Sequence, residues 1–255
     1  MTCARILSGS LIIFIMTRKR GLFIVIDGPS GTGKDTLIRE LKNVLSGLGS
    51  IVYVLSEEKL DANRSEIKAA RKRGKDSGGT GDKEMVEPLI QHRQAIYRRQ
   101  LIPLLECGII VIGNRGEATT IAYQTAHGEL TMQEVWDMHR ENHIPLANLV
   151  ILTNCDPMEA YRREQADKEL NQERRDLESG PGLSGTVTVE RDASFDANMR
   201  NRVIIHRQYG PTAEFLHEQG VPVVCLDTGQ LSIEQEVALS LEAIRNVALN
   251  ETSSD

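Results

Sequence analysis

Cysteine is scarce in this chain. Cys3, Cys107, Cys155 and Cys225 are scattered and form no CxxC pair. That argues against a zinc ribbon and a disulfide scaffold, and it fits a reducing cytoplasm. Long apolar runs are missing too. The N-terminal run Leu11-Ile12-Ile13-Phe14-Ile15-Met16 is short, whereas a membrane span needs about 20 apolar residues. It is followed by Thr17-Arg18-Lys19-Arg20 and not by a small-residue cleavage site. No stable membrane association is expected. Positive charge is not in excess either. The 30 Lys and Arg stand against 36 Asp and Glu, a net charge of −6. This excludes a globally basic nucleic-acid binder. No repeat of fixed period is visible. With 40% hydrophobic residues in 255, the chain can build a core, so disorder throughout is excluded as well.

What is present is a series of short apolar runs. Leu22–Ile26, Ile51–Leu55, Ile109–Ile112, Leu149–Leu152 and Val221–Leu226 read as strands. The first ends at Asp27-Gly28 and is unbroken by polar residues, as in a strand buried on both faces of a parallel sheet. Between the runs lie helical stretches. Residues 34–47 carry Leu37, Leu41 and Leu45 at spacings of four, and residues 83–106 carry Val86, Leu89, Ile90, Ile96, Leu101 and Leu105. Alternating strands and helices predict an α/β domain with a five-stranded parallel sheet and right-handed crossovers. Residues 1–20 read as an extension outside this core, with Met16 the functional start. Residues 21–250 read as one domain, and 251–255 as a polar tail. Two polar segments, 61–82 and 162–193, interrupt the pattern and read as mobile loops, the second as a lid.

The segment Gly28-Pro29-Ser30-Gly31-Thr32-Gly33-Lys34 follows the first strand and opens the first helix. Its GxxxxGK spacing is that of a phosphate-binding loop. Glycines let backbone N–H groups approach phosphate oxygens, the helix N-terminus adds its positive end, and Lys34 adds a full charge. Asp35 occupies the position where Ser or Thr is usual, and Thr36 follows. Thr36 and Asp35 are the candidates for a magnesium ion bound with ATP. At the end of the third strand stand Asn114-Arg115. In an open parallel sheet ligands bind at the carboxyl ends of the strands, so Arg115 is expected beside the loop at residues 28–36. A guanidinium there can grip a phosphate with two bonds. His139 and His143 lie at i, i+4 without an evident third ligand and read as surface residues. Trp136 reads as packing.

These motifs together resemble the thymidylate kinases. Residues Ile24–Lys34 alone look most like the loop of bacterial cytidylate kinase. Asn114-Arg115-Gly116-Glu117-Ala118-Thr119-Thr120-Ile121-Ala122-Tyr123-Gln124 resembles the DR(Y/H)xxSxxAYQ motif of thymidylate kinases. Pro88-Leu89-Ile90-Gln91-His92-Arg93 and Pro103-Leu104-Leu105-Glu106-Cys107-Gly108 stand in ungapped register with it. Asp156-Pro157 through Arg163 resembles a third family segment, and Phe195–Arg200 a fourth. The resemblance implies a P-loop kinase that moves the γ-phosphoryl of ATP to a nucleoside monophosphate. It implies that Arg93 contacts the acceptor base or phosphate. Arg115 would hold the acceptor phosphate and neutralise the transferring group, Thr120 and Gln124 would read the base or neighbouring groups, and Tyr123 would sit near the sugar. Thr120 and Tyr123 also admit plain packing or capping roles. Arg163 is the best-aligned of several arginines in residues 162–191 for the transferring group. A homodimer is implied by the resemblance alone.

The chain departs from the family at several points. The family acids correspond to Asn114 and Ser30, so Asp35 or Asp27 must compensate. The aromatic that stacks on thymine corresponds to Leu89, and the loop after the second strand, Ser56-Glu57-Glu58-Lys59, is not the family's. CMP or dCMP as acceptor, a small-molecule acceptor, and a non-catalytic nucleotide-binding regulator therefore remain as alternatives.

Overall fold

The apolar runs become the strands β1 (Phe23–Asp27), β2 (Val52–Ser56), β3 (Ile110–Asn114), β4 (Leu149–Asn154) and β5 (Val223–Asp227). In the computed structural model of the chain they pair in parallel, in the order β2-β3-β1-β4-β5. The structure describes residues 20–57, 64–76, 78, 80–179 and 193–252. Most of the expected extension at 1–20, and residues 180–192 of the expected lid, lie outside these. So do the side chains of residues 171–179 and 193–198. The β5 run was expected from Val221 and starts two residues later, because Pro222 has no N–H to give the ladder; its carbonyl still accepts from Val150 N.

Side chains alternate across the sheet and fill two cores. Phe23, Val25, Val111 and Val150 pack with Tyr97, Ile121, Trp136 and Leu216. Ile24, Ile26, Ile112 and Ile151 pack with Leu37, Leu41, Leu45 and Ile244. The second core is closed by helices α1 (Lys34–Gly47) and, near the C-terminus, Ile233–Thr252. Trp136 is indeed packing; its ring meets Phe215 edge-on at 6.1 Å.

Two expectations change. Residues 61–82, read as a loop, contain α2 (Arg64–Asp76). Its Lys, Arg, Glu and Ala residues are strong helix formers, and the charge that suggested a loop is its solvent face. Ala70 and Gly74 form its buried seam, with Gly74 close against Gly81. The single helix expected over 83–106 is α3 (Asp82–Ile96), a π-helical turn (Tyr97–Leu101) and α4 (Ile102–Glu106). Pro103 explains the break. It lacks the N–H that would bond the Arg99 carbonyl, and its ring crowds that carbonyl, so the turn widens.

The remaining elements are α5 (Glu117–Thr125), α6 (Met132–Glu141), α7 (Pro157–Ser179) and α8 (Ala193–Glu218), and the C-terminal Ile233–Thr252 is α9. Much of the expected lid is thus helical, as the first half of that segment belongs to α7.

Candidate active site

The loop between β1 and α1 is held from several sides. Pro29 has no N–H to offer a phosphate, but its carbonyl accepts from Lys34 Nζ at 2.5 Å and from Thr32 Oγ1 at 2.8 Å. Thr32 is fully buried and meets the Thr153 hydroxyl at 2.7 Å, while its own carbonyl accepts from Thr228. Gly31 has φ +83, and a Cβ there would lie 2.0 Å from the Ala160 carbonyl oxygen in α7. Gly28 is as tightly placed, 2.2 Å from the Thr153 carbonyl oxygen by the same construction. No residue but glycine fits at either position.

Asp27, a candidate for a compensating acid, does something else. It is fully buried. Its carboxylate accepts from Gly28 N at 2.7 Å, Gly116 N and Thr119 N at 2.9 Å each, Tyr209 Oη at 3.1 Å, and the Thr119 hydroxyl. Both oxygens are consumed in tying β1 to the start of α5 and to α8. A cation would have to displace these donors. Asp35 is exposed, and Asn114 Nδ2 donates to its Oδ1 at 2.8 Å.

Arg115 lies where expected. Nη1 donates to the Gly28 carbonyl at 3.1 Å and to Thr119 Oγ1 at 3.3 Å, and Nη2 to Ser30 Oγ at 3.2 Å. Its guanidinium is 5.9 Å from the ring centre of Tyr123. Its φ is +71, a left-handed value that costs a non-glycine residue on the order of 1 kcal/mol. Gly116, where the family has an aromatic or His, lets the chain pass close to Val25.

Arg93 is buried, and all of its donors are engaged. It grips Glu57 with Nε at 2.6 Å and Nη2 at 3.0 Å. The other N–H groups go to the Gly116 carbonyl at 2.9 Å, Thr120 Oγ1 at 3.1 Å and His139 Nε2 at 2.7 Å. Thr120 thus touches Arg93. Gln124 is buried further along α5. His139 is not a surface residue as expected but is buried. Its Nδ1 bonds the Val135 carbonyl at 2.7 Å, so Nδ1 carries the proton and Nε2 accepts from Arg93. Burial, then the Arg93 charge, pulls its pKa down to about 3. Glu117 completes the cluster. Burial raises its pKa, opposed by the Arg93 charge, and no donor from another described residue reaches its carboxylate.

Arg163 stands on the other side of the loop. It donates to Glu159 at 3.1 Å and to the Thr228 carbonyl at 3.0 Å. With Gly33, Lys34, Thr36, Asp167 and Thr228 it lines a cavity of about 370 Å³, which opens directly from the phosphate loop.

Several site residues carry no signal in the sequence motifs. Glu57 is visible only as the partner of Arg93, and Tyr209 as that of Asp27. Thr119, next to the candidate Thr120, is visible only as a partner of Asp27 and Arg115. Arg202 on α8 donates from Nη1 to the Ser30 carbonyl at 3.1 Å. A helical spacing of seven between Arg202 and Tyr209 is the one regularity that links two of them.

A parallel sheet of this order, with a GxxxxGK loop at the end of its central strand, is a P-loop nucleotide-binding fold. The thymidylate kinase family model matches residues 26–179. A probable thymidylate kinase of Pyrobaculum calidifontis is 31% identical over 150 residues, 58% of this chain and 72% of the relative. A thymidylate kinase of Xanthomonas oryzae pv. oryzae (strain PXO99A) is 28% identical over 225 residues, 84% of this chain and 93% of the relative. One from Geobacillus thermodenitrificans is 27% identical over 162 residues, 62% and 71%. The chain belongs to the thymidylate kinase family. It is an ATP-dependent nucleoside monophosphate kinase, and a divalent cation accompanies the ATP.

Proposed function

We propose that the chain transfers the γ-phosphoryl of Mg2+-ATP to dTMP, giving ADP and dTDP. One observation carries this reading. Arg115 bonds the Gly28 carbonyl and the Ser30 hydroxyl, so the acceptor-side arginine and the donor-side loop share one mouth. The relatives' names, which specify thymidylate, support the choice of acceptor.

In this reading the N–H groups of residues 30–36 hold the β- and γ-phosphates, and Lys34 exchanges the Pro29 carbonyl for phosphate oxygen. Arg115 exchanges Gly28 and Ser30 for the acceptor phosphate. An oxygen of that phosphate forms the new P–O bond. The bond to the β,γ-bridging oxygen breaks, and its electron pair leaves on ADP. Catalysis of this kind is mostly positioning and charge neutralisation. The ATP nucleoside enters the cavity beside Arg163, which makes Arg163 a wall of the donor site. The acceptor sugar lies against Tyr123, with its base toward Thr120 and Gln124. Arg93 positions Thr120 and the Gly116 turn.

The donor set fits magnesium. Asp35 and Thr36 offer hard oxygen ligands, and Mg2+ takes one or two carboxylates plus substrate phosphates in place of a protein cage. Bound there, it would neutralise charge on the β- and γ-oxygens. The chain is proposed to act in the cytoplasm as a homodimer. Among the described residues no helix is long and apolar enough to cross a membrane.

A second reading, CMP or dCMP as acceptor, is favoured by Leu89, half-buried on α3 where the family's stacking ring would be. Arg115→Ala and Lys34→Ala test the site itself. Arg115→Ala should raise KM for the acceptor far more than KM for ATP, and Lys34→Ala should abolish turnover. An unchanged acceptor KM in the first, or near-parental turnover in the second, would remove the assignment.

A further inference from the structure

Ser30 lies between two guanidinium groups. Arg115 approaches its hydroxyl from the end of β3, and Arg202 approaches its carbonyl from α8. Ser30 occupies the loop position where the family resemblance expects an acid. The charge that an acid would bring is absent, and a second arginine stands beside it. Arg202 is brought there by a helix in fixed register, because Tyr209, two turns on, donates to Asp27 beneath the loop. The guanidinium lies over the Tyr161 ring at 5.6 Å and pairs with Glu164 of α7 at 2.5 Å. Its side chain is 19% exposed, so it is neither a surface charge nor a sealed structural one.

Lys34, Arg115 and Arg202 surround the loop mouth, with Glu164 paired to Arg202, while the Asp27 carboxylate beneath is consumed by internal donors. His206 lies one turn after Arg202 on α8. Its pKa falls to about 4, through burial first and then through the Arg202 and Lys34 charges, against the opposing influence of Asp156 and of a backbone hydrogen bond at Cys155. A polyanion entering the loop meets these cations together.

We infer that Arg202 is a phosphate-contacting residue that takes the γ-phosphoryl oxygens of the bound triphosphate in exchange for the Ser30 carbonyl. This rests on the phosphoryl-transfer reading above and deepens it. The exchange is favourable because a neutral carbonyl is a weaker acceptor for an arginine N–H than a charged phosphate oxygen. No proton moves. Arg202 supplies charge to the transferring group while the bond to the bridging oxygen breaks, the role that the sequence assigned to an arginine within 162–191. Glu164 is its partner before the triphosphate arrives and is not itself part of the catalytic machinery.

The experiment is calorimetry of Mg2+-ATP and Mg2+-ADP binding to the full chain and to its Arg202→Gln, Arg202→Lys and Glu164→Gln variants, with turnover measured alongside. Only ATP carries the γ-phosphoryl. Arg202→Gln should narrow the ATP-over-ADP preference by about tenfold, as expected for one lost charged hydrogen bond. Arg202→Lys should fall between, and Glu164→Gln should leave both the preference and turnover intact. A purely structural clasp predicts equal losses for Arg202→Gln and Glu164→Gln, and no change in the ratio of the two affinities. An unchanged ratio in Arg202→Gln, or a Glu164→Gln loss as large, overturns the inference whatever turnover does. Failure of the phosphoryl-transfer reading shows separately, as absence of acceptor-dependent turnover in the parent.

Discussion

Asn114 donates to Asp35 across 2.8 Å, joining the end of β3 to the residue after the loop lysine. In the family resemblance the acid stands at the β3 position, and phosphate loops in general carry Ser or Thr after the lysine. Here the carboxylate sits on the loop side and the neutral partner on the strand side, so the same pair of elements still presents one acid to the phosphate side.

If the acid has changed places, restoring the usual order should restore the site. Asp35→Thr alone should weaken Mn2+ binding in the presence of ADP by about tenfold or more. Asp35→Thr with Asn114→Asp should recover most of that loss. Electron paramagnetic resonance of Mn2+ reads both without requiring turnover. A double variant no better than Asp35→Thr would show that the two positions are not equivalent.

Asp27 is expected to matter for stability before activity. Asp27→Asn keeps the shape but turns an amide toward N–H donors of Gly116 and Thr119. The cost should be about 3 kcal/mol, a fall in Tm on the order of 10 °C. Tyr209→Phe, which removes one of the donors, should cost about 1 kcal/mol. Thermal unfolding followed by circular dichroism checks both, and an Asp27→Asn variant as stable as the parent would contradict the clamp.

His139 should make the fold sensitive to mild acid. Its folded pKa lies near 3, well below the ordinary value of 6.5, so the unfolded chain takes up protons that the folded chain refuses. The stability from neutral His139 is complete above pH 6.5 and is lost progressively as the pH falls toward 3. His139→Gln retains an acceptor for Arg93 and removes the titration. Its Tm should decline less steeply than the parent's between pH 7 and pH 5. Equal slopes would mean that His139 is not the group responsible.

The central strands β1, β3 and β4 were legible because a strand buried on both faces has no polar residues to hide it, and the partly exposed edge strands β2 and β5 were legible as short apolar runs. The five runs at Leu22, Ile51, Ile109, Leu149 and Val221 lie within two residues of the observed strands. The loop at 28–36 was legible because its turn demands glycine locally, with positive φ at Gly28, Gly31 and Gly33. Other features lack local cause. The Arg93–Glu57 pair joins residues far apart in the chain, and neither has a motif that names the other. The buried state of His139 depends on Arg93 reaching it across α3 and α6. The helix α2 was hidden by its own solubility, since a charged helical face and a charged loop have the same composition. Arg202 lies outside every motif, and it is the long-range Tyr209–Asp27 contact, with the packing of Ile205 and Leu216, that sets which way its helix turns.

Acceptor-dependent formation of ADP and nucleoside diphosphate tests the central claim most directly. Purified chain, Mg2+-ATP and each of dTMP, dUMP, CMP, dCMP, UMP, AMP and GMP would be incubated and the nucleotides resolved by chromatography, with Lys34→Ala as blank. The account predicts Lys34-dependent appearance of dTDP in step with ADP, with dTMP the best acceptor. A better acceptor among the others would keep the mechanism and replace the proposed substrate. No diphosphate from any of them, while ATP binding stays measurable, would contradict the account.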